Sequence, residues 1–255
     1  MNYRRLPLDG LHNARDLGGY PIRDGGVTAF RKFVRCEAPR NLSERDIEFL
    51  KAYGVTVSID FRGDSEISRH PSCLQNIPGV EYCRCVTFDK QIAFASGTNA
   101  EEKRPAMDAF VDWGEKYIEI ADKSGDWIKN TLREMSRAEG AVLFNCATGK
   151  DRTGLISALL LGLAGVADYD IVADYCVSEI YLKEQYEELL AGFLERWPDE
   201  KADINSPFFK TAPVNMEILL DHIYKTHNSV EGFVVSCGIT DAEIARLRSK
   251  LTIAG

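Results

Sequence analysis

A cysteine and an arginine six positions apart, Cys146 and Arg152, stand where an apolar stretch of the chain gives way to a polar one. The segment VLFNCATGKDRTGLI, residues 142–156, is apolar, then polar with a glycine, then apolar again. This pattern predicts a buried strand, a loop and a helix. A thiol at the base of such a loop faces backbone N–H groups and the positive end of a helix, which stabilise both a thiolate and a phosphate dianion. The spacing therefore predicts a cysteine nucleophile that attacks a phosphoryl group.

The residues between the cysteine and the helix suit the binding of a phosphoryl group. We expect backbone N–H groups to surround its equatorial oxygens while the planar Arg152 guanidinium binds two of them. Thr153 is expected to donate its hydroxyl to the sulfur or to cap the helix, and Lys150 either adds positive charge at the rim or is a solvated surface lysine. The predicted phosphate-binding set is Ala147, Thr148, Gly149, Lys150, Asp151, Arg152 and Thr153.

The segment from Cys146 to Gly154 resembles the Cys-X5-Arg-Thr-Gly loop of protein tyrosine and dual-specificity phosphatases. Its GKDRTG form looks like the atypical bacterial branch that accepts phosphotyrosine and phosphoinositides. Similar signatures occur in the same order at NARDLGGY (13–20), IDFR (59–62) with Glu66, DYCVS (174–178) and GIT (238–240) leading into Leu247-Arg248. The resemblance spans roughly residues 10 to 252. It implies a phosphatase for phosphotyrosine, with phosphoserine, phosphothreonine or phosphoinositides as further substrates, that uses a phosphocysteine intermediate and no metal or cofactor.

One residue departs from the family pattern, in which a histidine precedes the nucleophile and helps to lower its pKa. This chain has Asn145, whose amide donates hydrogen bonds but carries no charge. A second hypothesis therefore stays open, that of a catalytically weak module that holds a phosphorylated partner without turning it over. A sulfur-transfer enzyme is a more distant alternative, because its cysteine loop does not require the Arg-Thr-Gly continuation.

Two aspartates compete to protonate the leaving oxygen. Asp60 ends the apolar run Val55 to Ile59 and is expected at the edge of the sheet where active sites of open α/β folds lie. The resemblance also permits Asp151, inside the loop, to act as the acid or to organise the loop. We expect Arg62 to steady one of these carboxylates or to touch substrate, and Arg15 either to brace the loop from outside or to meet substrate.

The order of predicted elements indicates an α/β fold, with a central, mostly parallel sheet flanked by helices as in protein tyrosine phosphatases. We predict a single domain over residues 1–255 with a helical insertion at about 88–138, which begins with a loop at 88–105 that could be a flap. A lid region is predicted at about 168–235. Within it, residues 207–209 are expected to expose aromatic rings, the alternative being a simple connection between helices.

Composition limits the partners. The net charge of −8 argues against nucleic acid, because affinity for it comes from many lysines and arginines. Seven cysteines without paired spacing favour the reducing cytoplasm, with secretion as the alternative if a leader was removed. The sequence shows no zinc pattern and no apolar run long enough to span a bilayer, and it does not determine the oligomeric state.

Overall fold

The structure is a computed structural model of the 255-residue chain. It describes residues 4–87, 113–196, 198–199 and 201–253. The flap predicted at 88–105, and the part of the insertion that ends at residue 112, lie outside the described residues.

A five-stranded sheet lies at the centre of the fold, in the order β1-β3-β6-β4-β5. All neighbouring strands are parallel except β1, which runs antiparallel to β3 at one edge, so the predicted mostly parallel sheet is confirmed. A two-stranded antiparallel ribbon pairs β2 with β7, near the end of the chain. The strands are β1 Arg15–Asp16, β2 Val27–Thr28, β3 Phe33–Cys36, β4 Val55–Asp60, β5 Glu81–Arg84, β6 Ala141–Asn145 and β7 Thr252–Ile253.

Helices cover both faces of the sheet, as the alternation along β6 requires. Val142 and Phe144 belong to the large core under most of the helices, whereas Ala141 and Leu143 face a smaller core that includes Leu50. The helices are α1 Glu44–Tyr53, α2 Asp64–Arg69, α3 Trp113–Lys123, α4 Gly125–Arg137, α5 Asp151–Ala164, α6 Asp168–Leu182, α7 Tyr186–Arg196, α8 Pro213–His227, α9 Val230–Ser236 and α10 Asp241–Leu251, with 3₁₀ turns at Cys73–Asn76, Lys183–Gln185 and Pro207–Phe209.

The helix that follows the cysteine loop, α5, begins at Asp151. Arg152 therefore lies in its first turn and not in the loop before it. Almost all of α5 is buried, and it ends at Gly165, whose left-handed backbone (φ 84°) caps it. The helix is thus fixed along its length, and its amino-terminal end is held at the carboxyl end of β6.

The predicted lid region at 168–235 divides into two parts with different packing. α6 and α8 contribute Ile171, Tyr175 and Leu219 to the main core. The piece between them forms a small separate cluster around Tyr186 and Phe209. The expectation that residues 207–209 expose their aromatic rings is wrong, because Phe209 is buried and Phe208 packs against the same cluster.

Within the described residues, none of the helices combines the length and the apolar character needed to cross a membrane.

Candidate active site

The candidate nucleophile, Cys146, directly follows the central strand β6 and is buried, with 2% of its surface exposed. It is a free thiol. The strand before it is buried at every position, so the sulfur is carried at a rigid point of the sheet. This placement at the base of the loop is the one that the strand-loop-helix pattern predicts.

The loop after Cys146 packs tightly against the carboxyl end of β3. Gly149 adopts a left-handed conformation (φ 69°), and a Cβ atom there would lie 2.4 Å from the carbonyl carbon and oxygen of Cys36. The carbonyl of Ala147 accepts a hydrogen bond of 3.1 Å from the amide of Ala38. Glycine is required here both by the backbone angle and by the close approach of the two chain segments.

Donors outside the loop bind its other carbonyls. The Asn13 side-chain amide donates to the carbonyl of Thr148 (3.0 Å), and Arg35 Nη2 donates to the carbonyls of Gly149 (2.7 Å) and Lys150 (3.3 Å). In a trans peptide the carbonyl and the next N–H point in opposite directions. Since the carbonyls of residues 147–150 bind groups outside the loop, the N–H groups of residues 148–151 point away from those groups.

Arg152 is buried and pairs with Glu66 through two hydrogen bonds, Nη1 to Oε2 (2.9 Å) and Nη2 to Oε1 (2.8 Å). Nη1 also donates to the carbonyl of Phe61. Burial alone would lower the pKa of Arg152, but the ion pair raises it, so the guanidinium stays charged. Its edge formed by Nε and the second Nη2 hydrogen has no hydrogen bond to any described residue, and such an edge matches two oxygens of a phosphate.

Arg15, one of the predicted supporting residues, is fully engaged by protein groups. Its five N–H donors bind the Asp174 side chain and carbonyl, the Asn13 carbonyl and side-chain oxygen, and the Ser178 hydroxyl. This contact set favours the hypothesis that Arg15 braces the loop from outside over the hypothesis that it meets substrate.

Asp174 joins Arg15 to Arg35 and thereby to the loop. Arg35 Nη1 lies 2.5 Å from Asp174 Oδ2, and all three side chains are at most 2% exposed. Burial would raise the pKa of Asp174, but the two guanidiniums lower it to about 2. Sequence reasoning did not single out Arg35. The signal was an arginine inside the apolar run FVRC, because a buried arginine needs a buried partner.

Asn145, which stands where the family has histidine, does not direct its amide at the thiol. Its Nδ2 donates to the carbonyl of Cys146 (3.2 Å), and its buried Oδ1 has no partner among the described residues. The side chain therefore orients the peptide between nucleophile and loop and adds no charge beside the sulfur.

Asp60 lies at the carboxyl end of β4, as predicted, but its carboxylate is fully buried and held by protein donors. Arg62 binds it through Nε and Nη2 (3.0 and 2.7 Å), and Tyr82 donates its hydroxyl to Oδ2 (2.9 Å). Of the two predicted roles of Arg62, the structure therefore shows it steadying this carboxylate.

Asp151 is the first residue of α5, and its side chain retains 13% exposure. The hydroxyl of Tyr117 donates to its Oδ1 at 2.5 Å. Its neighbour Lys150 is only 4% exposed, so the expectation of a lysine at the rim or in solvent is wrong. The Lys150 ammonium donates to the carbonyls of Phe208 and Lys210 and lies 5.2 Å above the Trp113 ring.

Thr153, in the first turn of α5, neither caps the helix nor donates to the thiol in this structure. Its buried hydroxyl has no hydrogen-bond partner among the described residues. A proton on this oxygen is thus available to a group that enters the loop.

Comparisons with known proteins relate this chain to tyrosine phosphatases. The model of the tyrosine phosphatase family matches residues 6–253. A tyrosine-protein phosphatase of Nostoc commune is 31% identical to this chain, and the match covers 88% of this chain and 75% of that protein. The triple specificity protein phosphatase PtpB of Mycobacterium tuberculosis is also 31% identical, and the match covers 98% of this chain and 99% of that protein. The crystal structure of P. aeruginosa TpbA is similar at a TM-score of 0.38 and 14% identity, over 82% of this chain and 87% of TpbA.

The family match over nearly the whole length shows that the chain belongs to the tyrosine phosphatase family. It is an enzyme of the protein-tyrosine phosphatase class, a phosphoric monoester hydrolase.

The close approach at Gly149 can be tested by Gly149→Ala. We expect a loss of stability of about 1–3 kcal/mol from the left-handed backbone and the clash with β3, and an affinity for orthovanadate at least about tenfold weaker because the loop must shift. The matched control is Gly79→Ala, which has a similar angle (φ 85°) but open space around the added carbon. Thermal unfolding and vanadate inhibition measure the two effects. Equal vanadate affinity in both variants would contradict the prediction.

The charge cluster around Asp174 predicts a pH dependence of stability. Because its folded pKa of about 2 lies below the ordinary value, the unfolded chain takes up the proton first. The stabilisation is therefore complete near neutrality and is lost as the pH falls from about 4 to about 2. Asp174→Asn should cost about 3–5 kcal/mol at pH 7, since two buried guanidiniums lose their counterion, and should unfold with a shallower pH slope in that window.

Urea unfolding at several pH values measures both quantities. Asp221→Asn, which removes an exposed ion pair with Lys225, is the control and should change stability by less than about 0.5 kcal/mol. An Asp174→Asn protein as stable as this control would refute the role assigned to the cluster.

Proposed function

We propose that the protein hydrolyses phosphotyrosine through a phosphocysteine intermediate on Cys146. The observation that carries the proposal is the outward direction of the loop carbonyls, which turns consecutive N–H groups to the opposite side. The Nε and Nη2 edge of Arg152, which binds no other group in the described part of the chain, adds two charged donors. Such a cradle stabilises the negative charge that the equatorial oxygens carry in phosphoryl transfer.

The reaction then proceeds in two displacements. The Cys146 thiolate attacks phosphorus, the S–P bond forms, and the P–O bond to the phenol breaks while an acid supplies a proton to the leaving oxygen. A water molecule next attacks phosphorus, the S–P bond breaks, and the proton of the water passes to the same carboxylate. The products are the phenol and inorganic phosphate, and the thiolate is restored.

Between the two predicted acids, we assign the proton transfer to Asp151. Asp60 is fully buried and its oxygens are occupied by Arg62 and Tyr82, so it has no free oxygen to offer a leaving group. Asp151 is partly exposed, belongs to the loop itself, and has one oxygen without a hydrogen bond to the described residues. The contacts therefore support Asp151 as acid and Asp60 as a structural partner of Arg62.

The range of substrates is a second part of the proposal. The relative from M. tuberculosis is named a triple specificity protein phosphatase, and it matches this chain over nearly its full length. A breadth of specificity in this relative supports including the further substrates that the resemblance of the GKDRTG loop implies, namely phosphoserine, phosphothreonine and phosphoinositides.

We also place the proposed lid in the piece between α6 and α8, within the predicted region 168–235. Lys150 of the phosphate loop is tied to the carbonyls of Phe208 and Lys210, and the Phe208 ring lies 5.3 Å from its ammonium. These contacts hold the 3₁₀ turn against the loop, which supports a cover over the site more than a plain connection between helices.

A burst assay with para-nitrophenyl phosphate in the presence of a chelator tests the function. We expect release of nitrophenol that does not depend on metal, that disappears in Cys146→Ser, and that falls by about 100- to 1,000-fold in Arg152→Ala, which removes two donors to the transition state. Cys176→Ser and Arg137→Ala, which lie outside the loop, should behave as wild type.

The same experiment separates the enzyme from the binding module that Asn145 leaves open. An intact protein that retains a phosphotyrosine peptide but releases no phosphate would establish the module and refute the enzyme.

The lid is tested by Phe208→Ala, which removes one ring above Lys150. Loosening the cover should raise kcat/KM for a phosphotyrosine peptide more than for para-nitrophenyl phosphate, because the larger substrate needs more space. Ile180→Ala, at an exposed residue of α6, serves as the control. An unchanged ratio of the two kcat/KM values would argue for a simple connection.

A further inference from the structure

The two oxygens of Asp151 have different surroundings. Oδ1 accepts a hydrogen bond of 2.5 Å from the Tyr117 hydroxyl, and the Lys150 ammonium lies 3.7 Å from the same oxygen. Oδ2 has no hydrogen bond to a described residue. One side of the carboxyl group is therefore tied to the protein, while the other is left for a ligand.

The hydroxyl that binds Oδ1 belongs to a buried chain of donors from three helices. Tyr117 on α3 lies 2.8 Å from the Tyr175 hydroxyl on α6, which lies 3.4 Å from the Asn215 side-chain amide on α8. The Tyr117 hydroxyl has one hydrogen to donate, and it donates this to Asp151. Tyr175 must therefore donate to Tyr117 and accept from Asn215. All donors in the chain thus point toward the carboxyl group.

This direction is fixed under ordinary conditions. Both tyrosines are only 1% exposed. Burial, with Asp151 and the facing hydroxyl as further causes, raises the pKa of Tyr117 well above its ordinary value, and burial raises that of Tyr175. Both hydroxyls therefore keep their protons over the range in which the enzyme folds, and Tyr117 acts as a constant donor.

We infer that Tyr117 is a positioning residue that places the catalytic proton of Asp151 on Oδ2. The reason is geometric: an oxygen that already faces a hydroxyl proton and an ammonium is a poor place for a further proton, so the acid proton resides on the other oxygen. In the reaction it moves from Oδ2 to the leaving phenolate oxygen, and the resulting carboxylate is stabilised by Tyr117 through Oδ1. The inference rests on the proposed function, in which Asp151 is the acid.

The test is the dependence of kcat/KM on the leaving group, measured with dinitrophenyl, nitrophenyl and phenyl phosphates. A well-placed acid makes this dependence shallow, because even a poor leaving group departs protonated. For Tyr117→Phe we expect unchanged kcat/KM with dinitrophenyl phosphate and a loss of about tenfold with phenyl phosphate, and for Asp151→Asn a loss of about 100-fold or more with phenyl phosphate. Tyr175→Phe, which keeps the bond between Tyr117 and Asp151, should lose less than Tyr117→Phe.

Tyr224→Phe is the matched control. It removes the hydroxyl of a half-buried tyrosine that donates to a different aspartate, Asp168 (2.7 Å), away from the loop. Its leaving-group dependence should equal that of wild type. Unchanged orthovanadate inhibition in Tyr117→Phe shows that the loop still binds an oxyanion and that a general loss of structure is not the cause.

The outcomes are distinguishable. If kcat/KM depends steeply on the leaving group in Asp151→Asn but only weakly in Tyr117→Phe, the positioning role of Tyr117 alone is overturned. A shallow dependence in both would overturn the assignment of Asp151 and the inference with it. Hydrolysis of dinitrophenyl phosphate by Cys146→Ser at the wild-type rate would overturn the proposed function itself.

Discussion

The outward pull on the carbonyls of residues 147–150 is the constraint on which the site depends. A five-residue loop that turned these oxygens inward would repel a phosphate, because the C=O and the N–H of a planar trans peptide point in opposite directions. The amide of Ala38, the side chain of Asn13 and the guanidinium of Arg35 hold the four oxygens on the outside. The preorganisation of the proposed phosphate cradle is therefore supplied by residues 13, 35 and 38 together with the glycine of the loop itself.

The charge behind the loop has the sign that a phosphate site requires. Arg15 and Arg35 share the single carboxylate of Asp174, which leaves one positive charge in excess in a buried region next to Gly149 and Lys150. Arg152 and Glu66, by contrast, balance each other. Since Asn145 contributes no charge and Glu66 balances Arg152, the net positive potential behind the loop comes from this excess and from the amino-terminal end of α5.

The sequence was informative where a local pattern determines the structure. The apolar run before Cys146 and the glycine at 149 each fix their own surroundings, and the strand and the tight loop that they predict are present. It was less informative where a side chain chooses among distant partners. Lys150 was expected at the rim or in solvent, but its ammonium donates to the carbonyls of Phe208 and Lys210. Asp60 was one of two expected acids, and its carboxylate accepts hydrogen bonds from Arg62 and Tyr82. Such pairings depend on tertiary packing, which local spacing does not encode.

The contacts that hold the loop in place join residues that are far apart in the sequence. Arg15 and its partner Asp174 are 159 residues apart, and Arg35 and Asp174 are 139 apart. During synthesis both arginines leave the ribosome 159 and 139 residues before the carboxylate with which they pair. A chain that stops short of residue 174 therefore lacks the carboxylate that holds Arg35 against the carbonyl of Gly149.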